Sequence, residues 1–164
     1  MRRFLRNGDS MKELNLPLDG TGIQIGIVAC RFNDAITHQL LEGTFNRLKK
    51  LGVNDEDINL IWVAGAFEAP LAAKLFADYK KVDAVICLGA VIRGETPHFD
   101  YVAGEAAAGI MRVSLDTGIP VIFGILTTED YAQALERAAV ESGDKGGDCA
   151  EAAIEMAQIA RDSF

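Results

Sequence analysis

The stretch DAVICLGAVIRGETPHFDY at residues 83–101 joins a predicted strand to a predicted helix. Residues 83–89 form an apolar run of strand length, and the chain after the loop carries apolar residues at helical spacing. These spaced residues are Val102, Ala106, Ile110 and Val113. A buried strand, a loop and a helix in this order form the unit from which α/β folds are built.

The same unit recurs along the chain. Three further apolar runs predict strands, at residues 23–29, 58–63 and 120–126. Four further segments predict helices, at about residues 35–51, 68–79, 129–141 and 148–161. Nearly continuous apolar strands separated by helices indicate a parallel sheet that is covered on both faces. In such sheets ligands bind at the carboxyl ends of the strands, so we expect the chemistry there.

Composition fits one globular domain and narrows the range of partners. The chain has 164 residues, of which 49% are hydrophobic and 24% charged, with a formal net charge of −8. An acidic surface repels nucleic-acid phosphates and anionic lipid, so we expect neither as a partner. No apolar run is long enough to span a bilayer, and no apolar segment follows Arg2, Arg3 and Arg6, so we expect neither a membrane span nor a secretory signal.

The three cysteines, Cys30, Cys87 and Cys149, are odd in number and far apart in sequence. They form no CxxC pair and no cluster with histidine, so neither a disulfide framework nor a metal site is predicted. Buried free thiols are expected, which fits a reducing cytoplasm. Residues 1–20 are polar and aperiodic and predict a flexible arm, which leaves residues 21–164 as a single domain.

The loop within residues 89–101 has features of an anion site. Thr96-Pro97 has the form of a helix N-cap followed by proline at the first helical position. Free N–H groups at such a helix start suit a phosphate, and Gly94 would allow close approach of the backbone. The alternative is an ordinary capped helix without a ligand. Glu95 would have to point its carboxylate away from a bound anion.

His98 lies in the first predicted helical turn, beside that anion site. Histidine is the side chain best suited to moving protons near neutral pH, so we predict a role in proton transfer. The alternative is a capping or surface histidine. The only other histidine, His38, falls inside a predicted helix away from the strand ends and is interpreted as structural.

Other candidates follow the first two strands. Phe32 can stack on a planar ring and Asn33 can donate or accept hydrogen bonds. Taken alone, core packing for Phe32 and helix capping for Asn33 explain these residues as well. The segment GAFEAP at residues 65–70 places Glu68 where it could accept from hydroxyl groups, or favour a helix start as an acidic residue.

Two cations come late in the chain. Arg137 lies on a predicted helix, where its guanidinium suits bidentate phosphate contact or simple exposure beside acidic neighbours. Lys145 falls in a predicted glycine-rich turn at residues 143–147, and a binding role and a surface role remain equally open.

Taken together, these segments resemble the lumazine synthase family (6,7-dimethyl-8-ribityllumazine synthase). The matching stretches are RFN at 31–33, GAFEAP at 65–70, GAVIRGETPHFDYV at 89–102, FGILTTE at 123–129 and ERA with KGGDCAEAAIEMA between 136 and 157. The resemblance implies a flavodoxin-like three-layer α/β sandwich with a four-stranded parallel sheet. It also implies pentamers with active sites between adjacent subunits. Twelve such pentamers can close into a sixty-subunit icosahedral shell, and riboflavin synthase is the partner that the resemblance suggests.

The resemblance also implies an activity and a site. The family condenses 5-amino-6-(D-ribitylamino)uracil with 3,4-dihydroxy-2-butanone 4-phosphate, without metal or redox cofactor. His98 would transfer protons and Arg137 would bind the substrate phosphate together with Gly94, Glu95 and Thr96. The other substrate-binding residues would be Phe32, Asn33, Ala66, Phe67, Glu68, Val91, Ile92 and, from an adjacent subunit, Phe123 and Lys145.

Two alternatives belong to other functional classes. A flavodoxin-like protein could carry a flavin or a nucleotide without catalysis, because a fold alone does not determine function. A shell-forming structural protein with an idle site is the second alternative.

Overall fold

A computed structural model of the protein describes residues 16–79 and 81–162. Within these residues the strands are β1 (Ile25–Cys30), β2 (Ile58–Val63), β3 (Ala84–Ile92) and β4 (Val121–Thr128). The α-helices are α1 (Asp34–Lys50), α2 (Ala69–Tyr79), α3 (His98–Thr117), α4 (Tyr131–Ala138) and α5 (Lys145–Asp162), and a short 3-10 helix spans Asp55–Asp57. The strands form one parallel sheet in the order β2-β1-β3-β4. The predicted α/β fold with a four-stranded parallel sheet is confirmed.

Helices cover the sheet on both faces because successive side chains of a strand point to opposite sides. Ile25 and Ile27 of β1 face the core formed with α1, α4 and α5. Val28 and Cys30 of the same strand face the core formed with α2 and α3. All six residues of β1 are buried, as expected for an interior strand covered on both faces. The result is the expected three-layer sandwich.

Two strands extend beyond their predicted ends. β3 was expected to stop at Gly89 but runs to Ile92, and β4 continues to Thr128, because Ala90–Ile92 pair in register with Leu126–Thr128. Gly89 therefore lies inside the strand and not at its end. A Cβ atom there would lie 2.9 Å from the Cβ and Sγ atoms of Cys30, so glycine lets β1 and β3 pack closely at this level.

The predicted turn at residues 143–147 is wrong in its second half, because α5 begins at Lys145. Gly146 and Gly147 therefore belong to the first turn of a helix. A Cβ atom at Gly146 would lie 2.0 Å from the carbonyl oxygen of Leu40 on α1. Thr44 of α1 donates a hydrogen bond of 3.0 Å to the Gly146 carbonyl oxygen. Glycine serves the close approach of two helices here.

Asp144, the residue before α5, helps to hold α5 against α1. Asp144 has a positive φ of 39°, and its Oδ1 atom accepts a 3.1 Å hydrogen bond from the backbone N–H of Gly147. Arg47 of α1 donates to the other carboxylate oxygen at 3.2 Å and also pairs with Glu151. The Asp144 carboxylate thus accepts a hydrogen bond from one of the free N–H groups at the start of α5, which allows the helix to begin directly after this residue.

Of the predicted arm at residues 1–20, residues 1–15 lie outside the described residues. The described end of that segment is tied to the domain. The Gly20 N–H donates to the Leu51 carbonyl at 2.7 Å, and the Asp19 carbonyl accepts from the Gln158 side chain at 3.0 Å. In the part of the chain that the structure describes, no helix combines the length and apolarity needed to cross a bilayer.

We predict that Gly146→Ala destabilises the fold, since the new methyl group would meet backbone atoms that cannot move without separating α1 from α5. Overpacking of this kind costs about 1–3 kcal/mol. The control is Gly104→Ala on α3, where a Cβ atom meets nothing within 4 Å. Removing a glycine from a helix interior there should raise stability by up to about 1 kcal/mol. Thermal unfolding of both variants measures the difference, and equal stability would contradict the packing argument.

Candidate active site

A cleft of about 720 Å³ opens at the carboxyl ends of β1, β2 and β3. Its size suits a small-molecule ligand. The lining residues are Phe32, Ala64, Gly65, Ala66, Phe67, Glu68, Ala90, Val91, Ile92, Gly94, Thr96, His98, Phe99, Tyr101 and Val102. The cleft therefore lies at the edge of the sheet where parallel α/β folds bind ligands.

The end of β1 holds Phe32 at the mouth of the cleft. The Phe32 N–H donates to the Ala64 carbonyl at 3.0 Å, and the residue is 74% exposed. Asn33 follows in the left-handed region with φ 61°, and its side-chain amide donates to the Ala90 carbonyl of β3 at 2.9 Å. It occupies the N-cap position of α1 without a side-chain capping bond, so the capping alternative for its amide is wrong. Asn33 lies behind the cleft and does not line it.

The loop after β2 forms one wall. The Glu68 N–H donates to the Gly65 carbonyl at 3.2 Å, which closes a turn before α2. Within this turn Ala66 is buried, while Phe67 and Glu68 are exposed to the cleft. Behind it, burial and then the nearby Glu68 carboxylate raise the pKa of the Cys30 thiol to about 12. Cys30 therefore stays protonated at neutral pH and cannot serve as a thiolate nucleophile.

The loop after β3 forms the opposite wall, with His98 as the first residue of α3. The predicted N-cap at Thr96 is wrong: Pro97 occupies that position with helical angles, φ −64° and ψ −2°, and no side chain caps the helix. Thr96 lies one residue earlier, outside the helix, and lines the cleft together with Gly94 and His98. Its hydroxyl is therefore not used by the helix start.

Several lining residues were not among the sequence candidates: Ala64, Gly65, Ala90, Phe99, Tyr101 and Val102. For two of these the signal was present, since Tyr101 and Val102 follow His98 at spacings of three and four residues. Such positions share one face of a helix. Tyr101 is 70% exposed, so its ring adds to the open aromatic rim of the cleft.

Besides Asn33, four candidates do not line this cleft: Glu95, Phe123, Arg137 and Lys145. Phe123 is half-exposed on the edge strand β4, and Arg137 is exposed on α4, on the other face of the sheet from α3. Among residues 16–79 and 81–162, no carboxylate lies within 4.0 Å of the Arg137 guanidinium. Lys145 pairs with Asp148 at 2.7 Å, and that hydrogen bond raises the pKa of its ammonium group. Within one chain, therefore, Phe123, Arg137 and Lys145 lie apart from the candidates that line the cleft.

Residues 22–161 match the family model for 6,7-dimethyl-8-ribityllumazine synthase. The chain belongs to this family. Lumazine synthases are transferases of riboflavin biosynthesis, and they act on small molecules as oligomers. The match covers every strand and helix of the fold up to the last turn of α5. In the ranges that the structure describes, no group of three or more His, Cys, Asp or Glu side chains is arranged to hold a metal ion.

We predict that Asn33→Ala destabilises the protein more than Asn33→Gly does. Both variants lose the hydrogen bond to Ala90, worth about 1 kcal/mol. In the alanine variant the left-handed backbone at residue 33 costs a further ~1–2 kcal/mol, whereas glycine adopts this conformation freely. Thermal unfolding of the two variants against the parent protein checks the order, and an alanine variant as stable as the glycine variant would disprove it.

Proposed function

We propose that the protein condenses 5-amino-6-(D-ribitylamino)uracil with 3,4-dihydroxy-2-butanone 4-phosphate to 6,7-dimethyl-8-ribityllumazine, releasing phosphate and water. The observation that carries the proposal is the convergence of Phe32, Glu68 and His98 on one cleft. They supply a stacking surface, an acceptor for hydroxyl groups and a proton carrier. These are the functions that a ring, a polyol chain and an amine–ketone condensation require.

The pyrimidine has a site between the two walls. Phe32 offers an exposed ring on which the heterocycle can stack. Val91 and Ile92 line the cleft, and their backbone groups hydrogen-bond the ring edge in this proposal. The ribityl chain then runs along Ala66 and Phe67, where the Glu68 carboxylate accepts from its hydroxyls.

The keto-phosphate has its site at the loop before α3. Backbone N–H groups of Gly94, Glu95 and Thr96 lie next to a helix N-terminus, which carries partial positive charge and favours anions. The Thr96 hydroxyl adds a donor, and Arg137 adds a full charge with two parallel donors. The Glu95 side chain takes no part, since it lies outside the cleft.

The chemistry needs positioning and proton transfer. Attack of the amine on the ketone followed by loss of water forms an imine, proton shifts allow phosphate to leave, and ring closure with a second dehydration completes the product. Holding both reactants in one cleft removes much of the entropic cost of their encounter. His98, at the cleft and next to the phosphate loop, is the proposed group that moves the protons.

An adjacent copy of the chain completes the site in this proposal. Phe32, Phe67 and Tyr101 leave large aromatic surfaces exposed around the cleft, as is typical of a surface that a partner covers. Phe123, Arg137 and Lys145 would reach the ligands from that copy. The proposed assembly is a pentamer, and twelve pentamers can close into a shell. Riboflavin synthase is the proposed partner, the cytoplasm the proposed compartment, and residues 21–164 the proposed single domain.

The direct test mixes the purified protein with both substrates and follows the absorbance and fluorescence of the lumazine product. Product formation that depends on the protein and on both substrates is expected. Protein that yields no product but retains one flavin per chain would instead identify a carrier.

We predict that His98→Ala lowers kcat by about 10²–10⁴-fold and leaves a slow, measurable enzyme, because substrate positioning survives the loss of general acid–base catalysis. The control is His38→Ala, since His38 lies outside the cleft with its ring 4.9 Å from that of Trp62. Steady-state kinetics on both variants decide the question. An unimpaired His98 variant would exclude the assigned role.

We predict that Arg137→Ala raises the KM for the keto-phosphate and leaves the KM for the pyrimidine nearly unchanged. Loss of a charged hydrogen-bond partner costs roughly 1.5–3 kcal/mol, which corresponds to about a 10- to 150-fold weaker phosphate contact. Arg112→Ala is the control, since Arg112 is an exposed helical arginine paired with Asp116 at 3.5 Å.

Mixed assemblies test whether Arg137 acts from the adjacent copy. His98→Ala and Arg137→Ala chains are denatured, combined and refolded together. If one site uses residues of two copies, some interfaces in the mixture unite an intact His98 with an intact Arg137, and activity exceeds the sum of the separate variants. Activity equal to that sum would place both residues in one chain's site.

A further inference from the structure

We infer that Arg93 is a positioning residue that holds the phosphate loop, residues 94–97, and the first turn of α3 in place, and that it is not itself a phosphate ligand. The inference rests on the proposed function for the identity of the ligand. Its structural part, the anchoring of the loop, does not depend on which anion binds.

Arg93 directly follows β3 and is held on several sides. Its backbone N–H donates to the Thr128 carbonyl at 2.9 Å, which ties it to the end of β4. Its Nε atom donates to the Glu129 carboxylate at 2.9 Å, and its Nη1 atom donates to Asp100 at 3.3 Å. The guanidinium carbon lies 4.1 Å from the centroid of the Phe99 ring. A planar cation with fixed donors suits such a combination of stacking and two-sided pairing.

These contacts bridge the segments that border the phosphate loop. Phe99 and Asp100 belong to the first turn of α3, immediately after His98, and Glu129 lies in the turn between β4 and α4. Arg93 thus connects the start of α3 with the end of β4 across the sheet edge. A shift of either partner would be transmitted to the loop and to His98.

The loop itself has few bonds of its own. In the described ranges, Gly94, Glu95 and Thr96 take part in no hydrogen bond to another residue, and a Cβ atom at Gly94 would meet nothing within 4 Å. Pro97 stands at the N-cap position before α3, and no side chain caps the helix. The free N–H groups that make the loop fit for an anion therefore leave it without internal restraint, and its position depends on the anchors at its two ends.

Direct phosphate binding by Arg93 is the competing explanation. Its side chain would have to leave two carboxylates and the Phe99 ring in order to reach the cleft, which it does not line. The hydrogen bond to Glu129, followed by the other contributions from Glu129 and Asp100, raises the pKa of the guanidinium, as expected for a cation already paired. Since the ion pairs are at the surface, they add little stability, and the effect of Arg93 should appear in kinetics more than in unfolding.

The test uses Arg93→Met, Arg93→Lys, Glu129→Gln and the Met/Gln double variant in the full-length, assembled protein. Misplaced reacting groups cost up to about 100-fold in rate, so we expect Arg93→Met to lower kcat/KM by roughly 10- to 100-fold. Glu129→Gln should lower it in the same direction, and the double variant should be no worse than Arg93→Met, because both changes break one network. Lysine should not rescue the activity, since one ammonium cannot stack and hold both carboxylates.

A direct phosphate ligand would behave in the opposite way. Glu129→Gln would then release Arg93 and leave the keto-phosphate KM unchanged or lower, and Arg93→Lys would retain most of the binding. That pair of results would overturn the inference.

A second readout does not require turnover. Hydrogen exchange measured by mass spectrometry should accelerate in peptides covering residues 94–101 of Arg93→Met and Glu129→Gln, and stay constant in peptides covering residues 34–50. Arg112→Met, which breaks another surface arginine pair on α3, should change neither. Accelerated exchange would uphold the anchoring role even if no lumazine were formed, so failure of the proposed function remains distinguishable. Unchanged exchange in both variants would refute it.

Discussion

The parallel pairing of β1 with β2 on one side and β3 on the other is the constraint on which the rest of the structure depends. Because these three strands run in the same direction, their carboxyl ends and the loops that follow meet at one edge. Because β1 is buried along its whole length, it needs apolar helices on both faces. α1, which follows β1, covers one face of the sheet, and α2, which follows β2, covers the other. The loops after β1 and β2 therefore turn toward opposite faces, and the cleft opens between them.

The cleft begins where the pairing between β1 and β3 ends. β1 and β3 remain in register only as far as Ala29 and Leu88, whereas β3 and β4 stay paired to Ile92 and Thr128. The last residues of β3 therefore have a strand on one side only. On the other side the Asn33 amide reaches Ala90, in place of a backbone group. An unpaired strand edge offers polar backbone groups to a ligand, which is why the substrate ring is placed there in the proposed function.

Patterns between residues close in sequence predict most of the fold and part of the candidate site. Apolar runs locate strands, and residues directly after a strand fall at the ligand-binding edge, so Phe32, Glu68 and His98 could be predicted as neighbours. Contacts between distant segments leave no such pattern. Nothing near Gly146 reveals that α1 passes against it, so the start of α5 was misplaced. Contacts between copies of the chain leave no pattern either, and the resemblance alone suggested that Phe123 and Lys145 act across an interface.

An acidic protein that binds an anion must concentrate positive potential locally, and the structure limits how it can do so. Arg93 directly precedes the phosphate loop, but Glu129 and Asp100 already balance its charge. What remains at the loop is the partial charge of N–H groups at a helix start, which is roughly half an elementary charge. A dianionic phosphate calls for a full charge in addition. On the proposed function that charge is Arg137, which lies on the far face of the sheet within its own chain. Phosphate binding would then require assembly, and an isolated chain would hold the pyrimidine better than its reaction partner.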